Sequence, residues 1–164
     1  MKATLAVLNE LERQGIVHRY AIGGAMAAMF YVEPTVTYDM HIFVVLPTSS
    51  GLLTLTPIYD ALRQRGYEPE GECIVIEGVP VQFLPAYNPL VEEALEQARL
   101  VDVEGVATRV LPLEHLIAMA AQTGRLKDRA RVQLLMDEGS VNTVRLADIC
   151  GRHGLSVPSQ EETP

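Results

Sequence analysis

Tyr20-Ala21-Ile22-Gly23-Gly24-Ala25-Met26-Ala27-Ala28-Met29-Phe30 is the stretch on which the reading of this chain turns. Residues 18–22 (HRYAI) suit a short strand, the paired glycines interrupt it, and residues 25–30 are rich in good helix formers. The unit is strand, glycine turn, helix. Glycine at such a turn lets backbone N–H groups approach an anion because no Cβ intervenes, and a helix N-terminus adds a partial positive charge. Gly23 and Gly24 are therefore a candidate phosphate cradle, although a tight strand-to-helix turn with no ligand reads the same way.

Downstream, Pro34 closes this unit and Met40 to Leu46 (MHIFVVL) is an apolar, partly β-branched run expected to be an interior strand. The residues leading into it are Thr37-Tyr38-Asp39-Met40-His41. Strand side chains alternate between faces, so Asp39 and His41, two apart, share one face and could offer two ligands to one metal ion. The plainer alternatives are a solvated Asp39 at the strand's start and a hydrogen-bonded His41 on a sheet surface.

Working outward, residues 4–14 carry Leu5, Leu8 and Leu11 at helical spacing and stop at Gly15. Thr56-Pro57 reads as a helix N-cap followed by proline in the first turn, with the helix running to Gly66. Residues 73–76 and 79–84 form a hairpin about Glu77-Gly78, with Pro80 confined to a strand end or edge. Residues 89–98 suit an acidic helix, and 100–110 one or two short strands around Glu104-Gly105. Beyond Leu113 the pattern is helical, over 113–117, 127–136 and 144–153. The expected fold is α/β of the α+β type: a mixed sheet with flanking helices, then a small C-terminal helical bundle. One domain over 1–155, divided into an α/β part (1–111) and a helical part (112–155), precedes a polar tail at 156–164 expected to be flexible.

Composition narrows the function. With 48% hydrophobic and 21% charged residues the chain lies outside the composition of disorder. A net charge of −8 repels phosphate backbones and argues against duplex DNA as a partner. No uncharged apolar run is long enough for a membrane span, and the N-terminus lacks a signal-peptide pattern, which points to a cytoplasmic protein. Cys73 and Cys150 have no CxxC spacing and are read as reduced. No Walker A loop, G-x-S-x-G elbow or H-E-x-x-H helix is present, and the four histidines show no metal-cluster spacing.

The order of Gly23-Gly24, Asp39-Met40-His41, Val81-Gln82-Phe83-Leu84, Leu113-Glu114-His115-Leu116-Ile117-Ala118 and Gly124-Arg125-Leu126-Lys127-Asp128 resembles the minimal nucleotidyltransferase superfamily. Within it the chain looks most like the bacterial proteins related to abortive-infection toxins of the AbiEii kind, over roughly Tyr20 to Leu155. The resemblance implies three carboxylates holding two Mg²⁺ that bind a nucleoside triphosphate and activate an attacking oxygen. Asp39 matches the first carboxylate, while His41 and Gln82 stand at the second and third. Thr35 stands where relatives often carry Arg, Ala120 where they offer Lys, and Arg131 where an Asp often follows.

These departures gather at the expected active site, and imidazole is a poor ligand for Mg²⁺. The first expectation is thus a nucleotidyltransferase-like protein with degenerate catalytic positions Asp39, His41 and Gln82. It would bind nucleotide or a partner weakly through Gly23 and Gly24, with little or no transfer. The alternative is an active, toxin-like enzyme moving a nucleoside monophosphate from NTP to an RNA or protein hydroxyl. There Asp39 and His41 would hold Mg²⁺ or Mn²⁺, and Lys127 would neutralise triphosphate charge. A third reading is an antitoxin-like or scaffold protein that holds another protein chain. Glu33, Glu72 and Glu77 are the nearest carboxylates in sequence that could compensate the losses. Lys127, Asp128, Arg129, Arg131 and the glutamates at 92, 93 and 96 read otherwise as solvated helix faces.

Overall fold

The computed structural model describes residues 1–34, 36–47 and 54–158. The Thr35 position and all but the first three residues of the expected tail lie outside these described residues. The elements run α1 (Lys2–Arg13), β1 (Arg19–Gly23), α2 (Gly24–Ala28), β2 (Met40–Val45), α3 (Thr56–Arg63), β3 (Pro69–Glu70), β4 (Cys73–Ile76) and β5 (Val79–Pro85). They continue with α4 (Pro89–Glu96), β6 (Arg99–Val103), β7 (Val106–Val110), α5 (Leu113–Thr123), α6 (Leu126–Glu138) and α7 (Thr143–Arg152). The strands make one mixed sheet in the order β3-β4-β5-β2-β1-β7-β6. The β1–β7 and β2–β5 pairs are parallel and the others antiparallel.

The burial of each strand follows its place in that order. Tyr20, Ala21, Ile22 and Gly23 are all buried, as are Ile42, Phe43 and Val44, so β1 and β2 at the centre are covered on both faces. β4 alternates half-buried with buried residues, and the edge strands β3 and β6 are mostly exposed. Leu5, Leu8 and Leu11 of α1 enter the core beside Ile22, Ile42, Ile74 and Val81. Burying a leucine of this kind contributes about 2 kcal/mol each, which is what holds a helix of modest intrinsic stability in place.

The hairpin about Glu77-Gly78 closes in the expected way, and the one or two short strands expected over 100–110 pair as a second hairpin. Glu77-Gly78 and Glu104-Gly105 both adopt positive φ at each residue, the geometry of two-residue turns that match strand twist. Pro80 sits opposite Val75, one residue before β5 begins pairing with β2 at Met40–Val81, so its missing N–H costs no bond in the sheet interior. The start of α3 differs from the reading of Thr56 as its cap. Leu55 occupies the N-cap, and Thr54 Oγ1 accepts the Thr56 N–H at 3.2 Å. Pro57 still falls in the first turn, where its fixed φ is tolerated.

The C-terminal third is helical as expected, and α5 is its centre: it packs on α6 and α7 and touches α2 and α4. Residues 113–120 are all buried. Gly124 ends α5 in the left-handed conformation at φ +61. Cys73 and Cys150 are free thiols. Among the described residues no helix is long and apolar enough to cross a membrane.

Candidate functional site

The sheet brings the glycine turn, His41 and Gln82 into one row. Gly23 faces His41 across the antiparallel β1–β2 pair, and His41 faces Gln82 across the parallel β2–β5 pair. Strands lie about 4.8 Å apart, so the three positions span roughly 10 Å. Both glycines have a steric reason to be there. A Cβ on Gly23 would collide with the Phe43 ring, and one on Gly24, at φ +62, would stand 2.7 Å from His41 Nδ1. α2 has only five residues, so anion attraction at its start rests on individual N–H groups more than on an accumulated dipole.

Asp39 is the residue immediately before β2, and its side chain does meet that of His41. His41 Nε2 lies 3.0 Å from Asp39 Oδ2. A carboxylate can only accept, so the proton of a neutral imidazole sits on Nε2 and the Nδ1 lone pair is turned toward Gly24. The Thr37 hydroxyl donates to the Asp39 carbonyl at 3.2 Å and approaches Oδ1 at 3.5 Å. The two residues thus share a face, yet they are engaged with each other. A cation bound jointly through Nε2 and Oδ2 has to break this bond first.

Gln82 is tied on the opposite side: its Nε2 donates to Glu72 Oε2 at 3.0 Å. Of the three compensating carboxylates considered, only Glu72 comes beside the row by a side-chain contact. Glu77 accepts from the Tyr67 hydroxyl at the hairpin tip, and Glu33 lines a separate hollow beside Phe30. Cys73 precedes the same stretch of sheet. Burial pushes its thiol up, with the charges of Asp39, Glu72 and Glu70 adding to the effect, which favours the protonated thiol.

The donor set does not suit two Mg²⁺ ions. At the three matched positions one carboxylate, an imidazole already hydrogen-bonded to it and a neutral amide offer one formal charge, two with Glu72 beside Gln82, where two hard dications need several oxygen anions. Among the described residues no group of three or more His, Cys, Asp or Glu side chains is placed to hold a metal ion.

The other predicted positions make no side-chain contact with the row that the described residues show. Lys127 is exposed on α6, and among the described residues it makes no hydrogen bond or ion pair with Asp39, His41 or Gln82. Ala120 is buried inside α5. Arg131 is an ion-pair partner of Asp128 at 3.2 Å. Asp128, read from sequence as part of a wet face, is only 2% exposed and accepts from Thr123 Oγ1 at 2.7 Å and Arg125 Nε at 2.6 Å. Burial alone would raise its carboxyl, but the Arg125 and Thr123 hydrogen bonds and the Arg131 charge hold it below the usual range.

A second polar centre was not legible in the sequence. Glu93 of α4, expected on a solvated face, accepts from His115 Nε2 at 3.0 Å, His153 Nε2 at 2.8 Å and the guanidinium of Arg152. Two of the four apparently scattered histidines therefore converge on one carboxylate. The Arg152 hydrogen bonds, seconded by those of His153 and His115, overcome burial and keep Glu93 far below the ordinary carboxylate range. His115 is fully buried, which pushes its imidazole down despite Glu93, and its Nδ1 has no partner among the described residues. The helical spacing of Glu93 and the length of chain separating His115 from His153 give no sequence signal for this meeting.

No protein-family model matches the chain, and no curated protein matches it in sequence. Solved structures do share its architecture. An antigenic nucleotidyltransferase-like protein from Paracoccidioides brasiliensis superposes with a TM-score of 0.57 at 13% identity, over 98% of this chain and 78% of that one. ANT(2'')-Ia in complex with adenylyl-2''-tobramycin gives 0.50 at 13% identity, over 91% and 98%. The solution structure of the antibiotic-resistance factor ANT(2'')-Ia gives 0.50 at 15%, over 93% of each chain. At these identities the likeness is one of fold: a nucleotidyltransferase-like mixed sheet with flanking helices.

Proposed function

We propose that this nucleotidyltransferase-like chain is a degenerate member of the fold, binding nucleoside triphosphate weakly at the Gly23-Gly24 turn and transferring little or none of it. The observation that carries the reading is the Asp39–His41 hydrogen bond at 3.0 Å. In-line transfer of a nucleotidyl group needs charge at two places, to lower the pKa of the attacking hydroxyl and to offset charge on departing pyrophosphate. Here the only matched carboxylate spends one oxygen on an imidazole. The neutral Gln82 spends its amide N–H on Glu72. What survives is the glycine turn, which offers N–H groups to a phosphate without needing a metal.

The contact between Gln82 and Glu72 favours a second reading. Glu72 is a surface carboxylate next to the third family position, and with Asp39 it could support one softer ion such as Mn²⁺ and slow transfer to an RNA or protein hydroxyl. Labelling with α-³²P NTPs separates the two. The first reading expects no label on protein or RNA with Mg²⁺ or Mn²⁺, together with a small NTP-induced rise in melting temperature. Metal-dependent label that disappears in Asp39→Ala and in Glu72→Gln establishes the second instead.

A further inference from the structure

A cavity of about 400 Å³ opens where the segment after α2 meets the starts of α5 and α7. Its walls include Phe30, Tyr31, Arg99, Ser140 and Arg145. That volume lies within the range of small-molecule sites. The Tyr31 hydroxyl donates to the Leu111 carbonyl at 2.9 Å, which pins the ring. Over that ring stands Arg99, its Cζ 5.6 Å from the centroid. Arg99 also acts on the Tyr31 hydroxyl through a side-chain hydrogen bond, and its remaining edge N–H groups are left to bind something else.

Arg99 has no carboxylate within ion-pair distance among the described residues. The chain has twenty-one carboxylates against thirteen Lys and Arg, so this is not for want of partners. Arg145 is anchored rather than idle: its Nη2 donates to Gln97 Oε1 at 2.7 Å, and its Nη1 lies 3.8 Å from Glu114 Oε2. Glu114, the single carboxylate in this wall among the described residues, also accepts the Asn142 N–H at 3.0 Å. The cavity therefore holds two guanidiniums against one committed carboxylate, a hydroxyl at Ser140, and the ring of Phe30, which is 39% exposed.

We propose that this cavity binds a small phosphate-bearing aromatic of nucleoside-monophosphate size, with Arg99 and Arg145 on the phosphate and Phe30 against the ring. Guanidinium forks match phosphate oxygens in geometry as well as charge. The site is distinct from the Asp39–His41 pair and does not depend on the reading of that pair. Arg99 faces Val110, Val110 faces Ile22, and Ile22 faces Ile42, the neighbour of His41. Three strand spacings separate them, about 14 Å, at the same end of the sheet.

Calorimetric titration of the full chain without added metal tests this, using uridine monophosphate, phenyl phosphate, uridine and inorganic phosphate as probes. The expected result is binding of the first two, each at least ten-fold tighter than uridine or inorganic phosphate. Arg99→Gln should weaken both at least ten-fold while lowering the melting temperature only slightly, since among the described residues Arg99 loses no ion pair and gives up only its contacts with the Tyr31 side chain. Binding kept undiminished in Arg99→Gln places the ligand elsewhere and overturns the proposal. So does absence of binding by both phosphorylated probes, or equal affinity for uridine or inorganic phosphate.

Discussion

Gly24 and His41 are in direct apposition: a side chain of even one carbon on Gly24 would stand 2.7 Å from the imidazole Nδ1. The glycine turn and the Asp39–His41 pair are consequently one packing unit, and a change to either is felt by the other.

This contact can be measured against a control. Gly15 has a similar φ of +72 with nothing within 4 Å of a built Cβ, so Gly15→Ala reports left-handed strain alone, about 1–2 kcal/mol. Gly24→Ala should cost more, about 2–4 kcal/mol, because His41 must also move. Denaturant unfolding gives both values. In His41→Ala the Gly24→Ala penalty should fall back to that of Gly15→Ala, and an undiminished penalty would mean the imidazole is not what fills the space.

Restoring the family carboxylates should reverse the proposed loss. His41→Asp with Gln82→Asp is expected to create Mg²⁺ or Mn²⁺ affinity that the native chain lacks. The metal-free variant should be less stable, since the new carboxylates repel Asp39 and one another. The carboxylate introduced in place of Gln82 would also face Glu72, where an amide now donates to it. Titration calorimetry decides; strong Mg²⁺ binding by the native chain would contradict the degenerate reading.

The Glu93 centre predicts acid lability. The buried His115 is held neutral, and protonating it would place a proton on Nδ1, which has no acceptor among the described residues. Because its folded pKa is depressed, the unfolded chain binds the extra proton first as pH falls below about 6.5. Stability present above that pH is lost below it, and Glu93, also depressed, adds a further loss at lower pH as the unfolded carboxylate protonates. The melting temperature should fall steadily from about pH 7 to about pH 5, with the His115 ring resonances in NMR showing no titration near the ordinary histidine pKa of about 6.5. A normal His115 titration curve would refute this account.

Asp128 should prove structural rather than catalytic. Asp128→Ala leaves Arg125 and Arg131 without this acceptor, with Thr123 keeping only the Ala120 carbonyl, and should destabilise the chain by about 2 kcal/mol. Nucleotide-induced stabilisation should be unaffected once the lower starting melting temperature is taken into account.

What the sequence determined by itself was whatever depends on neighbours along the chain. The first helix, expected over 4–14 and found at Lys2–Arg13, follows from leucine spacing, the first hairpin from Glu77-Gly78, the strand break from Glu104-Gly105, the end of α5 from Gly124, and the shared face of Asp39 and His41 from strand alternation. The same local rules misplaced the cap of α3 by assigning it to Thr56, because a hydroxyl two residues earlier was the one in reach. Tertiary structure alone decided which surfaces were wet and which partners met. Glu93 gathered His115 and His153 through the packing of α4, α5 and α7, and Asp128 was buried by the turn between α5 and α6. Glu72 was chosen over Glu33 and Glu77 by strand register. Arg99 reached Tyr31 only because β6 lies beyond β7 at the sheet's edge. Hydrogen bonds and ion pairs act over about 3–4 Å, and no spacing rule along a chain carries that distance across a sheet.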